Sequence, residues 1–481
     1  MTRQQWYYIA AGLFVAVGFS LFIFYSSGKQ HQVTEENAMM IEKSMSEYFQ
    51  HVELGLKNSN VNVTGNKNIK VNVSDNGNYY DISFPQKILS VVDIKDVNYL
   101  IKPYSGQIEV YGNGKYFFSS DDTFGLSVQK TKHDTQNFKV ASQNVEALWS
   151  SDIDNFENYK LEMEGLAFNH TDQLVDIDFG VQHISAFGNV ETQDDTWLSE
   201  DTFVIENLNV SADNEALFNA GRIEATAETS VHDKNILSFK SVFEEMTPEN
   251  GNNNFNYDLF LQQLSSINFY TQKIKVENVT SEAADFQAEE FVLGIDIEKQ
   301  GHESFDTEFE YRHKEAALAK NWPILNNAEM KLTFHNCSMQ KFAKWFEATE
   351  TIMSSNENRP VITNDKVIDN FLDFAKNVPI NIEKISVGSP DSYQAQLRGS
   401  LIYKDSEALG LTGEFQADIF GLQKFLNDNP NLGLEAFAGI VAMYGDKDGE
   451  NDAYHYEIKL HDNGLIVVND REIHVLKELL N

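Results

Sequence analysis

The sequence predicts an α+β chain that is mostly antiparallel β. It has an N-terminal transmembrane helix and a long, curved, one-sided β-sheet, groove-like or elongated. A C-terminal region follows, with amphipathic helices packed on strands. Three observations predict this. The chain opens on an apolar run without charge. From about residue 60 the hydrophobic period is two and stays so for some two hundred residues. Near Trp322-Pro323 helical periodicity enters and alternates with further strands.

The opening run, Trp6–Tyr25, reads WYYIAAGLFVAVGFSLFIFY. As a helix it spans about 30 Å, the thickness of a bilayer core. Trp6, Tyr7 and Tyr8 at one end, and Phe24 and Tyr25 at the other, are rings that favour the membrane interface. Arg3 precedes the span and Lys29 follows it, so the positive-inside rule places residues 1–5 as a cytoplasmic tip and the bulk of the chain outside. A cleaved signal peptide would carry a shorter apolar region and a small-x-small site, which FIFYSSGKQ offers poorly. A retained single-pass anchor is the expectation.

Residues 26–60 read as a stand-off segment. Within it Ile41, Met45, Tyr48, Phe49, Val52 and Leu56 recur at helical spacing. Thr34, followed by Glu35 and Glu36, suits a helix start because acidic groups favour that end.

Residues 61–325 form the expected elongated antiparallel domain. Val61/Val63, Ile69/Val71/Val73 and Tyr80/Ile82/Phe84 alternate with polar residues across two turn-rich stretches. QIEVYGNGKYFFSS adds a hairpin at Gly112-Asn113-Gly114; its Gly-x-Gly-Lys lacks the frame of a phosphate loop. YKLEMEGLAF puts Leu161, Met163 and Gly165 on one face, and LVDIDFGVQHISAFG alternates Val175, Ile177, Phe179 and Val181 with acids. Apolar on one side and acidic or amide on the other is the pattern of a sheet with one buried and one wet face.

Residues 326–481 form the expected α+β domain. MQKFAKWFEATETIM predicts a helix through Phe342, Trp345, Phe346, Thr349 and Met353. DKVIDNFLDFAKNV predicts another through Val367, Ile368, Phe371, Leu372 and Ala375. Further helices are expected at LQKFLND and LEAFAGIVAMYG. KLTFHNCSMQKFAKWF and TGEFQADIFGLQKFLND echo each other as a strand, a short step, then Met/Leu-Gln-Lys-Phe opening a helix. The closing YHYEIKLHDNGLIVVND is a strand, an Asp-Asn-Gly turn with Gly464 free to take positive φ, and a strand.

Composition bounds the function. With 37 basic and 73 acidic residues the net charge is −36, which repels phosphate and disfavours nucleic acid and anionic lipid surfaces. The single cysteine, Cys337, excludes an intramolecular disulfide and a cysteine zinc cluster, and reads as a small buried hydrophobe. No His-Glu-x-x-His, Gly-x-Ser-x-Gly or Gly-x-Gly-x-x-Gly occurs. His455, His461 and His474 read as exposed strand histidines. Asp446, Asp448, Glu450 and Asp452 in GDKDGENDAY offer oxygens to calcium, but Gly449 is fourth where an EF-hand-type loop wants its glycine sixth. A solvated acidic loop is the plainer reading. No catalytic, cofactor-binding or metal-binding residue is therefore assigned.

LRGSLIYKDSEALGLTGEFQADIFGLQKFL and YHYEIKLHDNGLIVVNDREI, placed after an anchor and a long run of one-sided strands, resemble bacterial envelope proteins of the YdgA and AsmA-like type. The resemblance implies a protein of the bacterial inner membrane, single-pass, with its N-terminus inside and its bulk in the periplasm. It also implies partners among phospholipids and envelope proteins, and it brings no catalytic residue or cofactor. Two readings follow. In one, the sheet binds or conducts lipid acyl chains in an apolar groove lined by Val175, Ile177, Phe179, Phe203 and Ile205. In the other, the sheet buries its own face and edges or helices dock an envelope partner. An enzyme using paired carboxylates is a third reading, for which no pair stands out.

Overall fold

A computed structural model describes residues 32–43, 46, 61–65, 69–91, 98–111, 115–123, 125–131, 134–150, 155–171, 176–193, 196–213, 215–232, 257–281, 286–316, 326–354, 365–389, 393–404, 410–428, 439, 442–448 and 452–473. Trp6–Tyr25 lies outside them. Among the described residues no helix is long and apolar enough to cross a membrane. The chain divides into two compact units, Met1–Asn254 and Phe255–Asn481. This division falls earlier than the expected boundary at 325/326, because paired strands continue on both sides of that point.

Among its described residues the first unit carries α1 (35–43) and fourteen strands. One antiparallel sheet runs β2 (Lys70–Val73), β3 (Tyr79–Phe84), β6 (Tyr104–Tyr111), β7 (Lys115–Ser120), β10 (Ser142–Ser150), β11 (Asn155–Thr171), β12 (Asp176–Gln193), β13 (Thr196–Ala212) and β14 (Glu215–Val231). A second series runs β1 (Val61–Gly65), β4 (Lys87–Val91), β5 (Asn98–Ile101), β8 (Leu126–Thr131) and β9 (Asp134–Lys139). It meets the first where Phe138 and Lys139 pair with Phe168 and Ala167.

The core of this unit is built from strand residues of one face, including Tyr80, Ile82, Ile108, Phe118, Val145 and Ala147. Helix α1 lies on that face rather than free of it: Ala38 and Ile41 are buried in the same cluster. Thr34 caps the helix, accepting from Asn37 N at 3.2 Å, as its sequence position suggested. Glu42 accepts from Val71 N at 3.2 Å, which satisfies a donor on the edge strand β2. Met45, Tyr48, Phe49, Val52 and Leu56 lie outside the described residues.

The alternation read from the sequence breaks once, in a row. Leu161 and Met163 are buried in β11, but so is Leu166; Phe179 and Val181 are buried in β12, but so are Ile184 and Ala186. Gly165, expected on the face of Leu161 and Met163, is exposed at φ 63°. Asn207 in β13 stands at φ 53°. The pairings on either side of Gly165, Gln182 and Asn207 keep one register. Each strand therefore takes one extra residue at the same row, and the apolar set changes from odd to even positions without slipping.

The second unit is a continuous antiparallel run. It comprises β15 (Ile267–Ser281), β16 (Phe286–Lys299), β17 (Ser304–Lys314), β18 (Ala328–Ser338), β19 (Pro379–Ser389), β20 (Tyr393–Tyr403), β21 (Leu411–Phe420), β23 (Ala453–Leu460), β24 (Ile466–Val468) and β25 (Arg471–Ile473). Short β22 (Asp446–Lys447) pairs with β23, and the sheet is not closed into a barrel. Among the described residues it is accompanied by α2 (Tyr257–Ser266), α3 (Met339–Ser354), α4 (Asp365–Ala375) and α5 (Leu422–Asp428). The chain is thus mostly antiparallel β with few helices. The closing hairpin folds as read: Gly464 is at φ 81° and donates to His461 O at 2.9 Å. Of LEAFAGIVAMYG, residues 439 and 442–445 are described; 439 and 442–444 are helical and Gly445 is a bend.

The echoed motif is structural. Met339 and Leu422 open helices directly after β18 and β21, and both are buried, as are Phe342 and Phe425 three residues on. α4 departs from expectation. It buries Val367, Phe374 and Ala375, while Ile368, Phe371 and Leu372 stay more than a third exposed. Phe374 stacks on Trp345 (6.0 Å, 11°) and on Phe334 (6.4 Å), so α3 and β18 turn that side of α4 inward. Phe346 of α3, expected to be buried, is likewise 38% exposed.

Candidate functional site

Pairing in the second unit aligns apolar residues into rows that cross the strands. One row is Leu293 (β16), Tyr311 (β17), Met330 (β18), Ile385 (β19), Leu397 (β20), Ala417 (β21) and Tyr456 (β23), each directly opposite the next. Beside it runs Ile295, Phe309, Leu332, Ile382, Gly399, Phe415 and Ile458. Directly opposed residues share a face, so these rows make one apolar surface across seven strands.

Helices cover this surface at two places. α2, α3 and α4 bring Leu264, Met339, Phe342, Ala343 and Phe374 over Ile297, Phe309, Leu332, Phe334 and Ile380. α5 brings Leu422 and Leu426 over Ala417, Ile419, Tyr454 and Tyr456. Between them the first row stays partly open. Leu293 is 56% exposed, and Tyr311, Met330, Ile385 and Leu397 are half-buried. The Tyr311 hydroxyl and His313 Nδ1 lie 2.9 Å apart on this face, and burial pushes the Tyr311 phenol up.

The opposite face is charged. Glu290 receives Arg312 at 3.0 Å and Lys275 and Lys314 at 3.3 Å each. Lys273 reaches Glu310 at 2.9 Å across Gly294, which leaves the space between them empty. Lys331 joins Glu308 and Glu383, and Lys384 joins Glu329. Burial pushes the Glu290 carboxyl up, but Lys314, Arg312 and Lys275 outweigh it and hold it below the usual carboxylate value. Glu290 and its face-mate Val292 are buried, so this cluster is screened from water, whereas the half-exposed pairs Lys273–Glu310, Lys331–Glu308, Lys331–Glu383 and Lys384–Glu329 each contribute about 0–1 kcal/mol. Two polar hollows lie on charged faces. One, of about 560 Å³, is lined by Asp81, Ser105, Gln107 and Ser119. The other, of about 620 Å³, is lined by Arg398, Glu414, Gln416 and Glu457.

The groove residues expected from sequence belong to the first unit. Val175 lies outside the described residues, and Ile177 is in β12. Phe179 is buried opposite Phe168 and Val210. Phe203 packs against the core of that unit opposite Ala186, and Ile205 is half-buried opposite Ile184 and Ile223. Phe203 and Ile205 therefore share a surface, while Phe179 stands beyond the row of extra residues. The open row of the second unit was not singled out from sequence. Its members sit in ordinary alternating strands, and only pairing brings them together.

The acidic loop supports its neighbour helix. Asp452 accepts from Gln423 N at 2.7 Å through Oδ2 and from Gly421 N at 2.7 Å through its carbonyl, capping α5. Asp446 and Asp448 are exposed, and Glu450 lies outside the described residues. Among the described residues no group of three metal-ligating side chains comes together. Cys337 is fully buried; burial and the nearby Asp306 charge push its thiol up to about 12. His455 is exposed and pairs with Asp418 at 2.6 Å. No protein-family model, curated protein or solved structure matches the chain.

Proposed function

We propose that the chain is a non-enzymatic, membrane-anchored bacterial envelope protein whose one-sided sheet holds lipid acyl chains against its apolar face. The observation that carries this reading is the row Leu293, Tyr311, Met330, Ile385 and Leu397: aligned in register, uncharged and left half-open between two helix-covered areas. A contiguous apolar strip facing water is costly in proportion to its area, about 25 cal/mol per Å², and an acyl chain removes that cost. The charge-free Trp6–Tyr25 supports the anchor, and the −36 net charge favours zwitterionic or neutral lipid over anionic surfaces.

The test is lipid extraction from the full chain purified out of membranes, with an unrelated single-span protein as control. Bound acyl lipid above control is expected, and Leu293→Asp or Met330→Asp should lower it several-fold. Lipid at control level in the parent chain overturns the reading. A second reading, docking of an envelope protein, has its own support in the exposed cluster Phe346, Ile368, Phe371 and Leu372 on α3 and α4.

A further inference from the structure

We propose that the outer face of β3, β6 and β7, in the first unit, carries a binding site for a neutral oligosaccharide. The site does not depend on the lipid reading above. Alternation along these strands sends Tyr80, Ile82, Ile108, Tyr116 and Phe118 into the core and turns their neighbours to the opposite face. On that face Asp81, Gln107 and Ser119 stand directly opposite one another in one row, and Ser83 opposes Ser105 in the next. The short serines leave a hollow of about 560 Å³ over these rows. Small-molecule sites commonly enclose roughly 300–1,000 Å³.

What lines the hollow selects its ligand. Its charged members are the carboxylates Asp81 and Asp121, and no basic side chain is among the described residues that line it, so an anion is repelled. Ile82 at its wall is turned to the core at 1% exposure, so an acyl chain finds no apolar surface there. Gln107 Nε2 stands 3.5 Å from Asp81 Oδ1, at the limit of a hydrogen bond, so both groups can turn to a ligand hydroxyl. A second observation points the same way. Phe117 lies two residues before Ser119 on β7, on the same face and about 7 Å along the strand. Tyr111 of β6 packs edge-on against it, with ring centroids 6.0 Å apart, and is still 47% exposed. Neither ring belongs to the core of this unit. A sugar ring has an apolar C–H face and a rim of hydroxyls. An exposed aromatic pair takes the first by stacking, and amide, hydroxyl and carboxylate side chains take the second. Here the two lie side by side, so one ring rests on Tyr111 and Phe117 while the next enters the hollow.

The experiment uses the full chain in a polymer belt, so that no sugar-based detergent competes. It is applied to an array of neutral oligosaccharides built from glucose, mannose or N-acetylglucosamine, and the best probe is then titrated by calorimetry. Retention of at least one neutral oligosaccharide is expected. Tyr111→Ala and Gln107→Ala should each weaken that probe about tenfold, as should replacing one of its sugars by a uronic acid. Both side chains are exposed, so the sheet should tolerate either change. Gln416→Ala, in the polar hollow of the second unit, should leave the affinity unchanged. No retained neutral oligosaccharide, an affinity unmoved by both Tyr111→Ala and Gln107→Ala, or equal binding of the acidic counterpart overturns the site, and each of these leaves lipid holding intact.

Discussion

Gly188→Ala should destabilise the first unit far more than its single methyl suggests. Gly188 sits in β12 directly between Tyr159 of β11 and Asp201 of β13. The Tyr159 hydroxyl donates to Asp201 Oδ1 at 2.7 Å across that glycine, and Asp201 Oδ2 takes Ser199 Oγ at 3.1 Å. A Cβ at 188 would collide with both the Tyr159 ring and the Asp201 carboxylate. Burial pushes the Tyr159 phenol up, and the Asp201 charge adds to it, so this hydroxyl stays a donor throughout the ordinary pH range. A hydrogen bond to a charged group is worth roughly 1.5–3 kcal/mol. Overpacking adds roughly 1–3, and the lower backbone entropy of alanine returns roughly 0.5–1. The expected net loss is about 2–4 kcal/mol, since these contributions do not add fully. Tyr159→Phe alone should cost about 1–2 kcal/mol, and in that background Gly188→Ala should cost less than in the parent. Gly294→Ala is the matched control. It disturbs the half-exposed Lys273–Glu310 pair and should cost under about 1 kcal/mol. With two units, hydrogen exchange in β11–β13 against urea is a better assay than one global midpoint. Equal effects of Gly188→Ala and Gly294→Ala would refute the reasoning.

Three further outcomes are expected. Glu290→Gln should cost about 1–3 kcal/mol at neutral pH, because Arg312, Lys275 and Lys314 lose the charge they share. Since the folded carboxyl is held low, that contribution is present above its ordinary titration range and is lost as pH falls through the depressed value. The gap between parent and variant in urea melts should therefore close in acid, and a pH-independent gap would contradict the assignment. Cys337 should resist a maleimide reagent in the native chain and react on unfolding, because its thiol is buried and burial pushes its pKa up, away from the reactive thiolate; prompt native labelling would count against its placement. Asp452→Ala should release the cap of α5 at a cost of about 1 kcal/mol, read as faster exchange at Gln423 and its neighbours.

Local chemistry made much of the fold legible. A period of two, the Gly464 turn and the repeated Met/Leu-Gln-Lys-Phe step all act within a few residues, and each folds as its sequence suggests. What escaped depends on distant partners. The extra residues at Gly165 and Asn207 shift the alternation within β11 and β13, and nothing in YKLEMEGLAF or TFVIENLNVSA marks that shift except a glycine and an asparagine able to take positive φ. The outward turn of Phe371 and Leu372 follows from where Phe334 and Trp345 stand, not from the periodicity of α4. The candidate row needs the pairing of five strands, β16 to β20, before Leu293 and Leu397 fall on one strip. Sequence reasoning therefore chose Val175, Ile177, Phe179, Phe203 and Ile205, which share the pattern but belong to the first unit.

Photocrosslinking inside membranes tests the central claim most directly. Benzoylphenylalanine at Leu293 lies on the open apolar row, and at Arg398 it lies on the charged face of the same sheet. An account in which the apolar face holds acyl chains predicts lipid adducts at position 293 and none at 398. Equal adducts at both positions, or only protein adducts at 293, would contradict it.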